Sequence, residues 1–514
     1  MTLAELIGPL EPELEVVQKR GSLDVEVGDL TDDSRLIKPG TLFVAVRGGR
    51  VDGHAFVTPA VGSGAMGLVV ERDCGPLTGT AGRPDQPLSS LPVLQVKNSR
   101  RALGLLAGRF HGDPSSRLEV IGVTGTNGKT TVCYLIKAIL ERAGRRIGLI
   151  GTVAYHIGAE RLRALHTTPQ AVEFQGLLAR MVDAGLDGVV MEVSSHALSL
   201  DRTVGCEFDV AVYTNLTQDH LDFHADLEEY FQAKRKLFAS LSPAGRKSRP
   251  KRAVINADDP RAADVRQACR VPVWSYSMRA PADIRAEQVS LSLDGTNFVA
   301  VTPAGRVDIA SRLVGEHNVH NMLAAIGVGL HEGVSLEAIR DGLQGVENVP
   351  GRFERIEAGQ DFTVVVDYAH TEDALLRLLL AAQRIKTGRV LTVFGCGGDR
   401  DRGKRPKMGS VAARHSDVVF LTSDNPRTED PSAILREVEA GLRGALDGAA
   451  ARDFRYHVIP DRRRAIAEAV REAKSGDMVL IAGKGHEDYQ ILGTERHHFD
   501  DREEARIAIE ALRK

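Results

Sequence analysis

The chain lacks three things: a cysteine pair, a basic excess and a long apolar run. Its five cysteines (Cys74, Cys133, Cys206, Cys269, Cys396) are scattered, odd in number and free of any CxxC spacing. Neither a disulfide framework nor a zinc site is indicated, so a reducing cytoplasm is expected. Sixty-six basic residues against 69 acidic ones leave a net charge of −3. A nucleic-acid partner, normally marked by a basic excess or patch, is not expected. No apolar stretch approaches the ~18 residues of a membrane span, so no membrane association is expected. The opening MTLAELIGPLEPELEVVQKR lacks the basic start and apolar run of a signal peptide. No internal repeat or low-complexity tract is evident. The expectation is a soluble cytosolic protein of 514 residues, enough for about three domains.

The most informative stretch present is GVTGTNGKTT, Gly122 to Thr131. An apolar run before it, Leu118 to Val123, predicts a buried strand, and the spacing of Thr131 to Leu140 predicts a helix. Strand, glycine-rich turn and helix make a phosphate cradle, in which backbone N–H groups and the positive helix end face the anion. Gly125 and Gly128 let the backbone approach closely. Lys129 is expected to reach the β/γ-phosphates as the only side-chain cation in the cradle, and Thr130 to hold Mg²⁺. Strict Walker spacing fails, because its first glycine falls on Val123. The strand–loop–helix setting still predicts that the chain uses ATP.

Three regions emerge. Residues 1–116 hold short strand-like runs (Leu42 to Val46, Gly67 to Val70) and a helix-like Ser99 to Phe110. A turn-rich loop, 78–90, lies between them. Residues 117–349 alternate strands (Arg146 to Val153, Gly188 to Val193, Asp209 to Thr214, Ala253 to Asn256) with helices. That alternation predicts a mostly parallel, doubly wound sheet. The basic segment 242–252, SPAGRKSRPKR, reads as a solvated loop rather than a nucleic-acid contact. Residues 350–514 repeat the βα rhythm with a sheet of their own. There Val390 to Phe394, Asp417 to Thr422 and Met478 to Ala482 each lead into a polar or glycine-rich loop. Ligands of open α/β sheets bind beyond the carboxyl ends of strands, so these three loops point to one pocket.

Glu192 and His220 each follow an apolar strand, where a carboxylate and an imidazole would hold Mg²⁺. A capping carboxylate and a structural histidine are the ordinary alternatives. Lys234 falls in the middle of an apolar helical face set by Leu227, Tyr230, Phe231, Leu237 and Phe238. Snorkelling and an ammonium aimed into a site account for it equally well. Arg400, Arg427 and Glu487 sit in the carboxy-terminal loops, where forks and a carboxylate would grip a zwitterionic amino acid, or form surface ion pairs. Asp367 ends a strand and would meet a ribose hydroxyl or brace a loop. Cys396 has no base partner and reads as structural. Ser34, Arg35 and Gly49 to Val51 occupy polar turns fit for a uridine or for nothing.

Taken together, TDDSR, TGTNGKTT, HTTP, MEVSSHAL, TNLTQDHLD, GEHNVHN, GRFE, VVVDYAH, FGCGGDRDRGKRP, SDNPR and GKGHEDYQ resemble the Mur ligase family over nearly the whole chain. These ATP-dependent enzymes build the peptidoglycan stem peptide. Within the family the likeness is strongest to members that add meso-diaminopimelate to a UDP-muramoyl dipeptide; DNPR, Asp424 to Arg427, favours diaminopimelate over lysine. The resemblance implies three domains: residues 1–116 for the UDP end, 117–349 for ATP and Mg²⁺, and 350–514 for the amino acid. It implies UDP-substrate contacts from Asp32, Ser34, Gly49, Arg50, Val51, His166, Thr167, Thr168, Ser194 and Arg202. ATP would meet Thr124, Gly125, Thr126, Asn127, Gly128, Lys129, Thr130, Asn318, Asn321, Arg352 and Asp367. Diaminopimelate would meet Arg400, Asp424, Asn425, Pro426, Arg427, Gly483 and Glu487. Lys129, Lys234, His220 and Glu192 would be catalytic. Thr130, Glu192, His220 and a carbamylated Lys234 would hold the metal. A monomer acting on small molecules is expected. Three positions depart from the family pattern: His166 for asparagine, Leu200 for glutamine, and Glu372 for the proline after AHT. None is expected at the phosphate cradle.

The implied chemistry is activation of the D-glutamate side-chain carboxylate as an acyl phosphate, then attack by the amine, with domain closure excluding water. A folylpolyglutamate synthase would share the loop but leave the first region and DNPR unexplained. A P-loop ATPase acting on a macromolecule would turn over ATP without regard to UDP-sugars.

Overall fold

The computed structural model describes residues 1–49, 51–75, 90–445 and 454–512. Three large sheets and one two-stranded hairpin, Tyr489–Leu492 with Glu495–His498, organise the described residues. The first has the strand order Val16–Arg20, Val93–Val96, Gly67–Val70, Thr41–Val44, Asp29–Thr31. Only its first pair is antiparallel. Leu42 and Val44 pack with Leu103 and Leu106 of the helix Ser99–Phe110, while Phe43 and Leu68 pack with Val57 and Val61 on the opposite face. Strands dry on both faces read as unbroken apolar runs, which is why this part was visible in the sequence.

The central sheet has eleven strands. Their order is Gly305–Ser311, Gly295–Thr302, Ile284–Ser292, Val273–Ser277, Arg252–Asn256, Val210–Tyr213, Glu119–Thr124, Gly188–Glu192, Ile147–Ile150, Ala154–Ile157, Glu160–Arg163. Arg252–Asn256 runs parallel to Val273–Ser277, and Gly188–Glu192 parallel to Ile147–Ile150. Both margins depart from the expected alternation. The three strands from Ile284 to Ser311 form an antiparallel meander. At the other margin Ala154–Ile157 and Glu160–Arg163 form an antiparallel hairpin on Ile147–Ile150. The strand expected over 146–153 therefore ends at Ile150, where the chain turns into that hairpin.

The third sheet runs Glu354–Arg355, Thr363–Asp367, Met478–Ala482, Val390–Phe394, Val418–Leu421, Arg455–Val458, parallel after its first pair. Alternate residues feed two cores, Val365, Leu480 and Phe394 on one face and Val366, Ile481 and Val393 on the other.

By its contacts the chain forms two compact units: Met1–Gly122, Arg146–Ala211 and Ala239–Lys251 in the first, and Val123–Arg145, Val212–Phe238 and Arg252–Lys514 in the second. The basic segment 242–252 is a mostly exposed loop, as expected, but two of its lysines turn inward. Lys247 Nζ donates to Leu118 O (2.8 Å) and Glu207 O (2.9 Å) and pairs with buried Asp209. Lys251 pairs with Glu207 at 2.6 Å. Two of its cations are thus spent inside the first unit. No helix among the described residues is long and apolar enough to cross a membrane.

Candidate active site

The strand Glu119–Thr124 is buried throughout and delivers the chain to the loop Gly125–Gly128; the helix Lys129–Arg142 follows. Gly125 (φ +146°) lies against Thr214, whose hydroxyl a Cβ would overlap, and Gly128 (φ +89°) lies against the Asn321 amide. Only glycine tolerates both the backbone angle and the approach. The loop is held from outside: Thr126 N donates to Asn215 O (2.8 Å), Asn127 N to Asn215 Oδ1 (2.9 Å) and Thr214 Oγ1 to Asn127 O (2.7 Å). Its shape is therefore set before any phosphate arrives. Thr124 Oγ1 is buried without a hydrogen-bond partner.

Lys129 Nζ donates to Gly125 O (3.1 Å) and Thr126 O (2.7 Å), lying over the loop. It is not the only side-chain cation there. Lys234, 1% exposed, donates to the same Gly125 carbonyl at 2.8 Å and lies 4.2 Å from the Tyr230 ring centre. Snorkelling is excluded: the ammonium points into the cradle. Burial, followed by the Lys129 charge, pushes the Lys234 amine well below the ordinary lysine range. Arg352 is the third cation, with Nη2 donating to Thr130 Oγ1 at 2.9 Å and the guanidinium 4.7 Å from the Tyr368 ring centre.

His220 takes a left-handed conformation (φ +56°) and faces Asp219 at 3.3 Å. Burial opposes ionisation of Asp219, but His220, His370 and Lys404 hold its carboxyl below the usual range. His370 and Lys404 were not foreseen; they join this cluster through Lys404 Nζ donating to His370 O at 2.8 Å. Asn321 Nδ2 donates to Asn318 Oδ1 (2.9 Å), and Asn318 Nδ2 to Val314 O (2.8 Å), fixing both amides behind Gly128. Asp367 braces loops: its carboxylate accepts from Phe353 N (2.7 Å) and Ala369 N (2.8 Å), shaping the turn that carries Arg352. Asp373, beside the atypical Glu372, accepts from Asn127 Nδ2 at 2.8 Å. That stretch does reach the cradle, contrary to expectation.

Among the described residues no three His, Cys, Asp or Glu gather as a metal cage. The donors present still suit Mg²⁺, which keeps several waters and needs few protein oxygens when phosphates supply the rest. Thr130 and His220 lie in the second unit. Glu192, 1% exposed in the first, accepts from Thr152 N (2.8 Å) and Thr152 Oγ1 (3.1 Å).

The first unit gathers the expected UDP-substrate residues. Thr168 Oγ1 donates to Glu192 O (2.8 Å) and accepts from Ser194 N (3.0 Å); Ser194 caps the helix Ser195–Ser199, which ends at Leu200. Thr167 Oγ1 accepts from Thr152 Oγ1 at 3.1 Å. Arg202 Nη1 donates to Thr168 O at 3.1 Å, leaving Nε buried without a partner. Burial raises the Asp32 carboxyl, with Arg100 and Arg202 opposing. Burial and Arg202 lower the His166 imidazole, whose backbone carbonyl accepts from Tyr155 OH at 2.7 Å. Arg100 and Tyr155 were missed because neither stands in a recognisable motif. Ser34 opens a short 3₁₀ turn capped by Asp33, and Gly49 and Val51 sit in the tight turn closed by the Arg47–Asp52 bridge. Arg50 lies outside the described residues.

The carboxy-terminal loops converge as expected. Gly398 N donates to Asn425 O (2.9 Å), tying the loop after Phe394 to the turn through Pro426. Arg427 (φ +53°) anchors Nη1 on Gly398 O at 2.7 Å. Arg400 meets it at Gly397, where a Cβ would lie 2.9 Å from Arg427 Nη1 and 3.8 Å from Arg400 Cγ. Asn425 Nδ2 donates to Glu487 Oε2 at 3.0 Å. Gly483 (φ +121°) ends the strand Met478–Ala482, with N donating to Asp367 O at 3.0 Å. Sequence reasoning missed Lys484, fully buried between Asp424 (3.2 Å) and Glu487 (3.9 Å). Its signal was a lysine one glycine beyond an all-apolar strand. Cys396 is structural as expected: it is buried against Met408, and burial pushes its thiol up to about 11.

Residues 27–111 match the Mur ligase family catalytic domain, 123–329 the Mur ligase middle domain, and 351–485 the Mur ligase glutamate ligase domain. The chain belongs to the Mur ligase family. It is 45% identical to UDP-N-acetylmuramoyl-L-alanyl-D-glutamate–2,6-diaminopimelate ligase of Geobacter metallireducens, over 99% of this chain and 98% of that protein. A solved structure of a ligase of the same name matches with TM-score 0.69 and 33% identity, over 100% of this chain and 99% of that one. Folylpolyglutamate synthase of Mycobacterium tuberculosis, solved with ADP and AMPPCP, shares the fold alone. It matches at 20% identity and TM-score 0.60, over 75% of this chain and 92% of that one. The three sheets are those of the three-domain Mur ligase fold.

Proposed function

We infer that the chain is an ATP-dependent ligase that adds meso-2,6-diaminopimelate to the D-glutamate side-chain carboxylate of UDP-N-acetylmuramoyl-L-alanyl-D-glutamate. ADP and phosphate are the co-products, and the product serves peptidoglycan synthesis. The observation that carries the reading is full-length likeness at 45% identity, together with a preformed phosphate cradle. The substrates are small molecules, the working form a monomer, and the compartment the cytoplasm, where ATP and nucleotide sugars are made. We place the domain boundaries near residues 116 and 349, between the matched family segments.

The chemistry follows from the groups present. A free carboxylate is a poor acyl electrophile, so it takes the γ-phosphoryl group of ATP to become an acyl phosphate. The diaminopimelate amine then attacks the acyl carbon, and phosphate leaves. Lys129, Arg352 and the loop N–H groups offset the charge that spreads over the phosphoryl oxygens in transfer. Thr130 and His220 of the second unit would offer donors to Mg²⁺, which would neutralise phosphate charge when bound. Arg202, Asp32 and the Thr167–Thr168 pair would seat the UDP-muramoyl dipeptide.

We assign a carbamate to Lys234. Burial and Lys129 favour its neutral amine, the form that adds to CO₂ with loss of one proton. The product puts an anion in place of a neutral amine beside the Lys129 charge, and its oxygens would serve Mg²⁺. Electron density or mass spectrometry of the gently handled enzyme should show the adduct, and CO₂-depleted buffer should lower activity reversibly with bicarbonate. A plain lysine in the nucleotide-bound enzyme, with activity indifferent to CO₂, would sink the assignment.

A further inference from the structure

We propose that Lys484 is a positioning residue for the amino-acid subsite, fixing the Asn425 amide and balancing the paired carboxylates of Asp424 and Glu487. The proposal rests on the reading of these loops as the diaminopimelate site. Lys484 is completely buried; its ammonium donates to Tyr489 O at 2.7 Å and Asn425 Oδ1 at 3.0 Å and forms an ion pair with Asp424 Oδ1 at 3.2 Å. Asn425 Oδ1 also accepts from Ile491 N at 2.9 Å. With two donors on its oxygen, the amide has one orientation, and its NH₂ faces Glu487 Oε2. Lys484 thereby sets the direction of a neighbour's donor without needing to touch substrate.

The same ammonium occupies a buried row of alternating charge. Asp501 pairs with Arg462 at 2.6 Å, Arg462 acts on Asp424, and Lys484 lies between Asp424 and Glu487. The row begins and ends on a carboxylate, so it is one cation short, and the distal ammonium of a diamino acid completes it. Glu487 is faced by Asp424, Asn425 and Arg427 from one loop and by Lys484 from its own; Arg462 and the Tyr368 phenol also feel its charge. Burial and the Asp424 charge push its carboxyl up to about 6, while Lys484, Asn425 and Arg427 oppose them. Below that pH Glu487 holds a proton and grips an ammonium poorly; above it the carboxylate is free. Removing Lys484 moves this midpoint up, whereas removing the Asp424 charge moves it down.

The test is the Kd of meso-diaminopimelate between pH 5.5 and 8.5. It is measured on the full chain holding the UDP-muramoyl dipeptide and a non-hydrolysable ATP analogue. Wild-type affinity should fall as pH drops through about 6. Lys484→Met should weaken binding about 10- to 100-fold at pH 7, the loss expected for hydrogen bonds from a charged group. Its midpoint should lie higher, with KM for ATP and dipeptide unchanged. Asp424→Asn should shift the midpoint the opposite way, and it carries the test if Lys484→Met fails to fold. A wild-type Kd and midpoint in Lys484→Met would overturn the proposal. So would an equal loss of affinity for all three substrates, or an Asp424→Asn midpoint that stays or rises. A wild-type enzyme that never binds diaminopimelate would instead overturn the reading beneath it.

Discussion

Lys129→Ala should abolish ligation while leaving UDP-dipeptide affinity within about twofold. Two other basic side chains reach the cradle, so the size of the loss depends on their charge. Burial and Lys129 itself drive the Lys234 amine toward neutrality, and Arg352 is already committed to the Thr130 hydroxyl and the Tyr368 ring. Lys129 then carries the full charge held over the loop carbonyls, and a single preorganised contact of this kind contributes about 10²–10³-fold in rate. The residues assigned to the UDP end, Asp32, Thr168 and Arg202, belong to the other compact unit. Steady-state rates with direct dipeptide binding check both halves. More than about a tenth of wild-type activity would contradict the role. The variant carries a second signature: without the Lys129 charge the Lys234 amine regains protons, so carbamate occupancy should drop.

Discrimination between meso-diaminopimelate and L-lysine should reach about 10⁴-fold in kcat/KM, and Arg427→Ala should erase most of it. Both amino acids offer the distal ammonium that completes the carboxylate row ending at Glu487. Only diaminopimelate adds the distal carboxylate. On the proposed assignment Arg427 would receive it, with one guanidinium nitrogen pinned on Gly398 O. Lysine would leave that fork facing nothing, and a site shaped for a polar group rejects the analogue lacking it by roughly 10⁴-fold or more. Competition kinetics with both amino acids measure the ratio directly. Equal kcat/KM in the wild type would remove diaminopimelate as the substrate. Unchanged discrimination in Arg427→Ala would keep the substrate and strip Arg427 of its part.

What could be seen in the sequence follows a physical divide. Strands dry on both faces, such as Val390–Phe394 and Met478–Ala482, appear as apolar runs, and their loops carry ligand residues beyond the strand ends. Lys234 was legible as an anomaly because helical periodicity placed a charge where the core lies. Its target was not legible, since the Gly125 carbonyl is 109 residues away. Lys484, His370 and Lys404 escaped for the same reason: their partners are brought in by tertiary packing. The antiparallel margin from Ile284 was missed because a half-exposed strand alternates polar and apolar residues, and no run forms. The lysines of 242–252 looked solvated because their acceptors, Glu207, Asp209 and Leu118, lie on distant strands and turns.

ADP release by the purified enzyme tests the central claim most directly. It should be followed with ATP and Mg²⁺ in the presence of the UDP-muramoyl dipeptide, meso-diaminopimelate, both or neither. Sustained ADP release should require both substrates and match, one for one, the appearance of the UDP-muramoyl tripeptide. ATP turnover that ignores the dipeptide, or that yields no tripeptide with both present, would contradict the account.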